Sequence, residues 1–274
     1  MKDKACIYFH QGWTDIVMCM GLINYYQTLY SSVNVIIRSD AKALVDFYIR
    51  PLDNIEVTYI DTDSGRYYGE IHTNCANSNV LYENKKLMIP AEYDIMFHAE
   101  HDKYREDSYK SIWDQPNRHP ITKHFSEMFY VFYGIDFLTR ITHFTVERDL
   151  VLEEEVYTKF IKTNGSDYII YHDDENNSQY GEHHVSTKLD FDKSNQHYSY
   201  VNINKASNIF FDYIKIFQKA KEIHLVDSIW GCLLYQLDAK YNILQGKKVN
   251  LYCKRGHENL FKHPINLINW NLIK

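Results

Sequence analysis

The residues near the N-terminus that are best suited to chemistry are His10, Gly12 and Asp15, which have the spacing H-x-G-x-x-D. They lie between a short apolar run at residues 6–9 and a longer one that begins at residue 16. A glycine lets the backbone turn tightly and approach a ligand, and a carboxylate in a cleft can accept a proton from a bound hydroxyl. The pattern predicts a strand, a turn and a helix, with Asp15 as general base beside His10. The simpler alternative is that Asp15 only favours the start of the helix and His10 is a turn residue.

A second group of candidates follows two apolar runs in the C-terminal half, and it consists of His172, Asp173, Asp174, Asp227 and Ser228. Ser228 and the amides after it open a predicted helix, whose positive end suits a diphosphate. Because a carboxylate repels phosphate, Asp227 is expected to hold a ribose hydroxyl or the loop itself. His172 could donate a hydrogen bond to a sugar hydroxyl or to phosphate. Turn chemistry and N-capping are the alternatives for this group.

Two arginines and two short acidic or histidine patterns complete the candidates. Arg38 and Arg255 are candidates for contacts with phosphate or with an acceptor, and surface ion pairs are the alternative for both. Asp61-Thr62-Asp63 has the D-x-D spacing that can hold a divalent metal. The pair His98 and His101 also has a spacing that is possible for two metal ligands. Both patterns are short, so a hydrated turn is preferred and no metal is expected.

These side chains must be positioned by the strands and helices that the apolar pattern predicts. In the first half, strands are predicted at residues 6–9, 33–38, 55–60 and 94–97, and helices at 15–30, 41–49 (capped by Ser39 and Asp40) and 121–133, with 64–92 irregular apart from a short strand near 80–82. In the second half, strands are predicted at residues 168–171, 198–203, 223–226 and 248–252, helices at 149–161, 207–220 and 229–240, and a loop at 175–196.

Strands that alternate with helices favour parallel sheets, at whose carboxyl ends ligands bind. We therefore predict two Rossmann-like α/β domains that face each other across a cleft, at residues 1–145 and 146–274. One large doubly wound sheet is the alternative. If the sheets are parallel, the polar residues at the strand ends converge.

Composition excludes several classes of function. The chain has 274 residues and a formal net charge of −6, so nucleic-acid binding, which needs a basic face, is not expected. No apolar run reaches the length of a membrane span, which favours a soluble, cytoplasmic protein. The five cysteines form no C-x-x-C pair and are expected to be free thiols. No G-x-G-x-x-G occurs, which disfavours a nicotinamide enzyme.

The segment His-Gln-Gly-Trp-Thr-Asp-Ile from His10, followed by an apolar helix containing Gly21, resembles the first strand–helix turn of two-Rossmann (GT-B) glycosyltransferases. It is most similar to the heptosyltransferase-like and fucosyltransferase-like groups, whose opening reads roughly H/S-x-G-x-x-D. Residues 223–228 (Ile-His-Leu-Val-Asp-Ser) resemble the donor-domain turn of the same groups. The glycine that usually follows the serine of that turn is displaced here to Gly231.

The resemblance implies an inverting, metal-independent transferase that moves a sugar from a nucleotide-diphosphate sugar to a glycan hydroxyl. Asp15 would be the base, in the acceptor-side N-terminal domain. The implied acceptor contacts are Gly12, Trp13 and Arg38, and the implied donor contacts are His172, Asp173, Asp174, Asp227, Ser228 and Arg255. By analogy, the tail after Arg255 is expected to cross back over the first domain. Another nucleotide-sugar enzyme, such as an epimerase or hydrolase, and a non-catalytic carbohydrate-binding protein remain the alternatives.

Overall fold

Apolar strands that alternate with helices give a parallel sheet in each half of the chain. The computed structural model describes residues 3–9, 13–42, 45, 54–61, 70–73, 81–83, 86–97, 129–130, 133–173, 179–180, 183–184, 188–203, 210–254 and 270–273. The chain forms two compact units, Met1–Val146 and Glu147–Lys274. Each unit has its own parallel sheet, so the alternative of one large doubly wound sheet is wrong.

The first unit is built around a four-stranded sheet. Its elements are β1 (Lys4–Phe9), α1 (Trp13–Gln27), β2 (Ser32–Arg38), β3 (Ile55–Ile60), β4 (Glu70–Thr73), β5 (Leu81–Glu83), β6 (Lys86–Ile89), β7 (Tyr93–Phe97) and α2 (Thr139–Thr142). The strand order of the main sheet is β3-β2-β1-β7, and every pair in it is parallel. This is the Rossmann-like arrangement that the alternation of strands and helices predicts.

A second, smaller sheet covers one face of the main sheet. Its order is β4-β6-β5, with β4 and β6 parallel and β5 and β6 antiparallel. Leu87 and Ile89 of β6 pack against Cys6, Tyr8 and Ile36 of the main sheet. The prediction of an irregular segment at 64–92 is therefore wrong, although the short strand predicted near 80–82 is confirmed as β5. Strand β6 is short, and it gains its stability from the burial of Leu87 and Ile89 against the main sheet rather than from its own sequence.

Helix α1 is held closely against α2 and the segments beside it. A Cβ atom on Gly21 would overlap the backbone of α2, so only glycine permits this approach. Asn24 donates from Nδ2 to the carbonyl oxygen of His143 at 2.6 Å. The Tyr130 hydroxyl donates to the carbonyl oxygen of Met18. These contacts fix the orientation of α1, whose first turn contains Asp15.

The second unit contains α3 (Leu150–Asn164), β8 (Tyr168–His172), β9 (Gln179–Tyr180), β10 (His183–His184), β11 (Ser199–Asn202), α4 (Ile214–Lys219), β12 (Glu222–Val226), α5 (Ile229–Tyr241), β13 (Val249–Tyr252) and β14 (Trp270–Ile273). Five of these strands form a parallel sheet in the order β11-β8-β12-β13-β14. The Tyr168 hydroxyl donates to the carbonyl oxygen of Ile216 at 2.8 Å, and the Tyr168 ring meets that of Phe160. Helices α3 and α4 therefore cover the same face of the sheet.

Two predictions in this unit need correction. The predicted loop at 175–196 contains the antiparallel pair β9–β10, and the predicted helix at 207–220 is described as a 3₁₀ turn, Phe210–Tyr213, followed by α4. Of the tail after Arg255, the structure describes Trp270–Ile273, which form β14 and pair in parallel with β13; the rest of the tail lies outside the described residues, so the expectation that it crosses the first domain stays a prediction. Trp270 anchors β14 by donating from Nε1 to Oδ2 of Asp238 at 3.0 Å. Among the described helices, none is long and apolar enough to cross a membrane.

Candidate functional site

The polar residues at the ends of β8 and β12 lie at one edge of the second sheet. The two strands are hydrogen-bonded neighbours, with Leu225 opposite His172. None of the four side chains is more than 7% exposed, and they are His172, Asp173, Asp227 and Ser228. Polar side chains that serve only as surface turns remain in water, whereas buried ones need partners. These four residues therefore form a buried polar cluster at the edge where α/β sheets bind ligands.

Ser228 links the two strand ends through its side chain. It is the N-cap residue of α5, and its carbonyl oxygen accepts from the amide of Cys232 at 3.0 Å. Its hydroxyl, however, makes no capping hydrogen bond to the helix and instead lies 3.2 Å from Nδ1 of His172. Ser228 therefore occupies the N-cap position, as the N-capping alternative predicts, but its side chain does not cap the helix. If the hydroxyl donates to Nδ1, the proton of a neutral His172 lies on Nε2, where it can be donated to a ligand oxygen.

Asp173 is held by a residue of β11, the strand that pairs with β8 on the side opposite to β12. Asn202, the last residue of β11, donates from Nδ2 to Oδ1 of Asp173 at 2.6 Å. Strand β11 is the neighbour of β8 in the sheet, so the carboxyl ends of three adjacent strands contribute to the cluster. Asn202 is not among the candidates predicted from the sequence. The sequence signal for Asn202 was its position near the end of the strand predicted at 198–203, since the other candidates were chosen at the ends of predicted strands.

Trp230 is a second residue that the sequence analysis missed. It lies in the first turn of α5, and its ring centroid is 6.5 Å from that of His172. Its ring also packs against Phe217 at 5.3 Å and Tyr213 at 5.9 Å. In the sequence, Trp230 could have been identified only by its position two residues after Ser228. Its packing makes the surroundings of the His172 ring apolar and restricts the positions that the ring can adopt.

Asp227 is the most deeply buried carboxylate of the cluster, at 1% exposure. Its backbone amide donates to the carbonyl oxygen of Tyr252 at 3.2 Å, which ties the turn after β12 to the end of β13. The next residue, Ser228, donates its amide to the carbonyl oxygen of Val226 at 2.8 Å. The turn between β12 and α5 is therefore tight and fixed by backbone hydrogen bonds. A turn of this kind can present a carboxylate and the first-turn amides of α5 to one ligand.

The candidates of the first unit lie at the start of α1. The helix begins at Trp13, two residues earlier than predicted, so Trp13 and Asp15 belong to its first turn. The structure does not describe the side chains of Trp13 and Asp15, and His10 and Gly12 lie outside the described residues. The roles of these four residues stay predictions.

Arg38 ends β2, where it forms an ion pair with Asp40. Its Nε donates to Oδ1 of Asp40 at 2.9 Å, and a second guanidinium nitrogen contacts Oδ2. The Ser39 hydroxyl donates to Asp61, which follows β3. Ser39 and Asp40 were predicted to cap a helix, but both lie within a short 3₁₀ turn, and their side chains bond to Asp61 and Arg38 instead.

The expectation that the chain binds no metal stays a prediction, as do the two alternative metal patterns. Among the residues that the structure describes, no three His, Cys, Asp or Glu side chains gather as they would around a metal ion. Asp61 is exposed, whereas Asp63, His98 and His101 lie outside the described residues. Asp174 and Arg255, two of the predicted donor contacts, also lie outside them.

No protein-family model matches the chain, and no curated protein sequence matches it. In structure it is similar to a glycosyl transferase family 9 protein from Veillonella parvula DSM 2008, with 8% identity, a TM-score of 0.43, and coverage of 91% of this chain and 80% of that one. It is also similar to the E. coli heptosyltransferase WaaC with ADP (10% identity, TM-score 0.40, coverage 97% and 95%) and to E. coli ADP-heptose lps heptosyltransferase II (8% identity, TM-score 0.44, coverage 98% and 90%).

Proposed function

We propose that the chain is a cytoplasmic glycosyltransferase that moves a sugar from a nucleotide-diphosphate sugar to a hydroxyl of a glycan. The observation that carries the proposal is the buried polar cluster of the second unit, His172, Asp173, Asp227 and Ser228. It lies at the carboxyl edge of a parallel sheet and at the start of a helix, which together suit a phosphate-containing ligand. The H-x-G-x-x-D turn from His10 to Asp15 supplies the second element of the proposal.

In the proposed reaction the second unit binds the donor. The first amides of α5 and Nε2 of His172 would donate hydrogen bonds to the diphosphate, while the Ser228 hydroxyl would donate to Nδ1 of His172 and so keep the imidazole proton on Nε2. These donors and the positive helix end would stabilise the charge that develops as the diphosphate leaves. They would take the place of a metal ion in this role. Asp173 and Asp227, as hydrogen-bond acceptors, would hold hydroxyl groups of the ribose or of the transferred sugar. Asp174 and Arg255 are assigned to the donor from the sequence alone.

The first unit would bind the acceptor and supply the base. An acceptor hydroxyl attacks the anomeric carbon while the bond from that carbon to the diphosphate breaks, and Asp15 takes the hydroxyl proton. A single displacement of this kind inverts the anomeric configuration. His10, Gly12 and Trp13 would line the acceptor beside this base. Arg38 would contribute the guanidinium N–H groups that its pair with Asp40 leaves available.

A thermal-shift screen tests the donor assignment. The chain is heated with ADP, UDP, GDP, dTDP or CMP, each with EDTA and with Mn²⁺. A ligand that binds the folded state raises the melting temperature by mass action. We expect one nucleotide to stabilise the protein in EDTA. If none does in either condition, the transferase proposal is wrong, and a strict Mn²⁺ requirement would move the diphosphate site towards Asp61 and Asp63.

Two substitutions test the base. Asp15→Asn should keep the nucleotide-induced stabilisation and abolish sugar transfer, because an amide cannot accept the proton. Glu56→Gln is the matched control, since it removes an exposed carboxylate on β3 of the same unit. Full transfer activity in Asp15→Asn would show that another residue is the base.

Product analysis separates the proposal from its rivals. Incubation with donor alone should release little free sugar and no epimer, because the proposed reaction requires an acceptor. Free sugar or an epimer formed without acceptor would instead favour a hydrolase or an epimerase. Glycan binding that no nucleotide influences would favour a non-catalytic carbohydrate-binding protein.

A further inference from the structure

The outer face of α3 begins with two adjacent apolar side chains that are open to solvent. Leu150 is 63% exposed and Val151 is 72% exposed, and they are two of the four large exposed hydrophobic side chains in the described part of the chain. A single exposed leucine needs no explanation. Here the two residues start a shallow groove whose lining is Leu150, Val151, Glu154, Glu155, Thr158, Lys159 and Lys162.

The charges along this groove change sign once. The acidic pair, Glu154 and Glu155, precedes the basic residues Lys159 and Lys162. Within one chain this order complements the helix dipole and allows an i,i+4 pair between Glu155 and Lys159. Neither effect gives a reason for the two exposed apolar residues at the start of the helix. A helix with this pattern is complementary to a second copy of itself that runs in the opposite direction.

We propose that the outer face of α3 is the interface for a second copy of this chain, with the two α3 helices antiparallel. With the two-fold axis near Thr158, Glu155 of each chain lies opposite Lys162 of the other. Glu154 already forms an ion pair with Lys215 of its own chain, which leaves Glu155 as the acidic partner across the axis.

The same alignment gives the apolar pair a place to pack. Val151 of one chain then lies opposite the end of the partner helix, at Gly165. A Cβ atom on Gly165 would meet nothing within 4 Å, so no side chain at this position blocks the approach of Val151 to the backbone of the partner helix end. Leu150 and Val151 would be covered at both ends of the symmetric pair. The contact is isologous, as is usual for dimers of identical chains.

The predicted dimer is weak. A helix of 15 residues is about 22 Å long, and one such pair buries less than the roughly 1,200 Å² of a typical stable interface. We therefore expect association that depends on concentration within the range from about 5 to about 500 µM.

Sedimentation equilibrium across this range tests the proposal with the full chain. The wild type should dimerise, and Val151→Asp should weaken the dimer at least about 10-fold, which is 1.4 kcal/mol. An aspartate in the first turn of a helix is compatible with folding, because it suits the helix dipole. Leu29→Asp is the matched control, since Leu29 is an exposed hydrophobic side chain of the other unit, at 56% exposure, and it should leave association unchanged.

A charge exchange tests the direction of packing. Glu155→Lys should weaken the dimer to a similar extent, and the double variant E155K/K162E should return it to within about threefold of the wild type. A wild type that is monomeric throughout would overturn the proposal. So would a dimer that Val151→Asp leaves intact, or a double variant that does not recover.

Discussion

A Cβ atom placed on Gly21 would lie 2.4 Å from the carbonyl oxygen of Thr139 and 2.7 Å from Cα of Arg140. Both of these are backbone atoms, which cannot move aside as the end of a side chain can. The contact encloses the Arg140 side chain, which is 1% exposed and places Nη1 3.5 Å from Sδ of Met18. Helix α1 and the segment 139–142 therefore form one closely packed element. Because the first turn of α1 contains Asp15, this packing also positions the proposed base.

Substitution of Gly21 by alanine is therefore expected to destabilise the first unit. Alanine is the better helix former by about 1 kcal/mol, but the overlap with the backbone of α2 should outweigh this gain, with a net loss of about 2 kcal/mol or more. Urea denaturation monitored by circular dichroism measures the change. Leu29→Ala, at an exposed position just after α1, is the control and should change stability by less than about 0.5 kcal/mol. Equal stability of the two variants would contradict this account of the helix contact.

The sequence predicted the order of the main strands and helices because long apolar runs mark them clearly. Strands β1, β2, β8 and β12 lie close to the expected residues. Strands β4 and β6 of the small sheet were missed, although β5 was predicted, because strands of four residues carry little signal of their own. Strand β14 was missed for a similar reason, since the Trp270–Asp238 hydrogen bond that anchors it joins residues distant in sequence.

The candidate site was predicted in part. The rule that ligands meet the carboxyl ends of parallel strands identified His172 and Ser228 before their contact was known. It could not show that the Ser228 hydroxyl bonds to His172 rather than to its own helix. That choice depends on the register of β8 against β12, which places Leu225 opposite His172. Asn202 could have been identified by the same rule, whereas the packing of Trp230 against His172 is a tertiary contact.

Removal of the Ser228 hydroxyl tests the link between the two strand ends. Ser228→Ala should lower the affinity for the nucleotide identified by the thermal-shift screen about 10-fold, because His172 loses the partner that keeps its proton on Nε2, where it would donate to the charged diphosphate. It should also destabilise the protein by about 1 kcal/mol, because the buried hydrogen bond with His172 is lost. Calorimetric titration and urea denaturation measure the two effects. Ser166→Ala, at an exposed serine of the same unit, should change neither.

A buried histidine on β12 makes the second unit sensitive to pH. Burial lowers the pKa of His224 to about 4 from an ordinary value of 6.5; Glu222 opposes this shift, and Lys248 and Lys193 reinforce it. Nδ1 of His224 lies 3.0 Å from the Tyr252 hydroxyl. Burial also acts to raise the pKa of Glu222, but hydrogen bonds from Lys248 and Asn250 outweigh it and hold that pKa below its usual value.

These shifts set the direction of the pH effect. The folded state keeps His224 neutral, so between about pH 6.5 and about pH 4 the unfolded chain binds more protons at this residue. The stabilisation is complete above about pH 6.5 and is lost as the pH falls, by up to about 3 kcal/mol. Urea denaturation at about pH 4.5, 5.5 and 7.5 should show this slope in the wild type and a smaller one in His224→Gln. The control His197→Gln, at an exposed histidine, should keep the wild-type slope; if His224→Gln keeps it as well, the pH effect has another origin.

Asn202→Asp should convert a hydrogen bond of the candidate site into a repulsion. Asn202 donates to Oδ1 of Asp173 at 2.6 Å, and two carboxylates at that distance cannot both be charged in a buried setting, so the pKa of one of them rises. The folded state of the variant then holds a proton that the unfolded chain has released, and its stability falls as the pH rises. Urea denaturation should therefore show a loss, relative to the wild type, that is at least about 1 kcal/mol greater at about pH 8 than at about pH 5. Asn202→Ala removes the same hydrogen bond without adding charge, so the difference between its losses at the two pH values should be smaller than in Asn202→Asp. A pH-independent loss in Asn202→Asp would mean that the new carboxylate turns away from Asp173, and Asn202 would then not be the residue that fixes the Asp173 carboxylate.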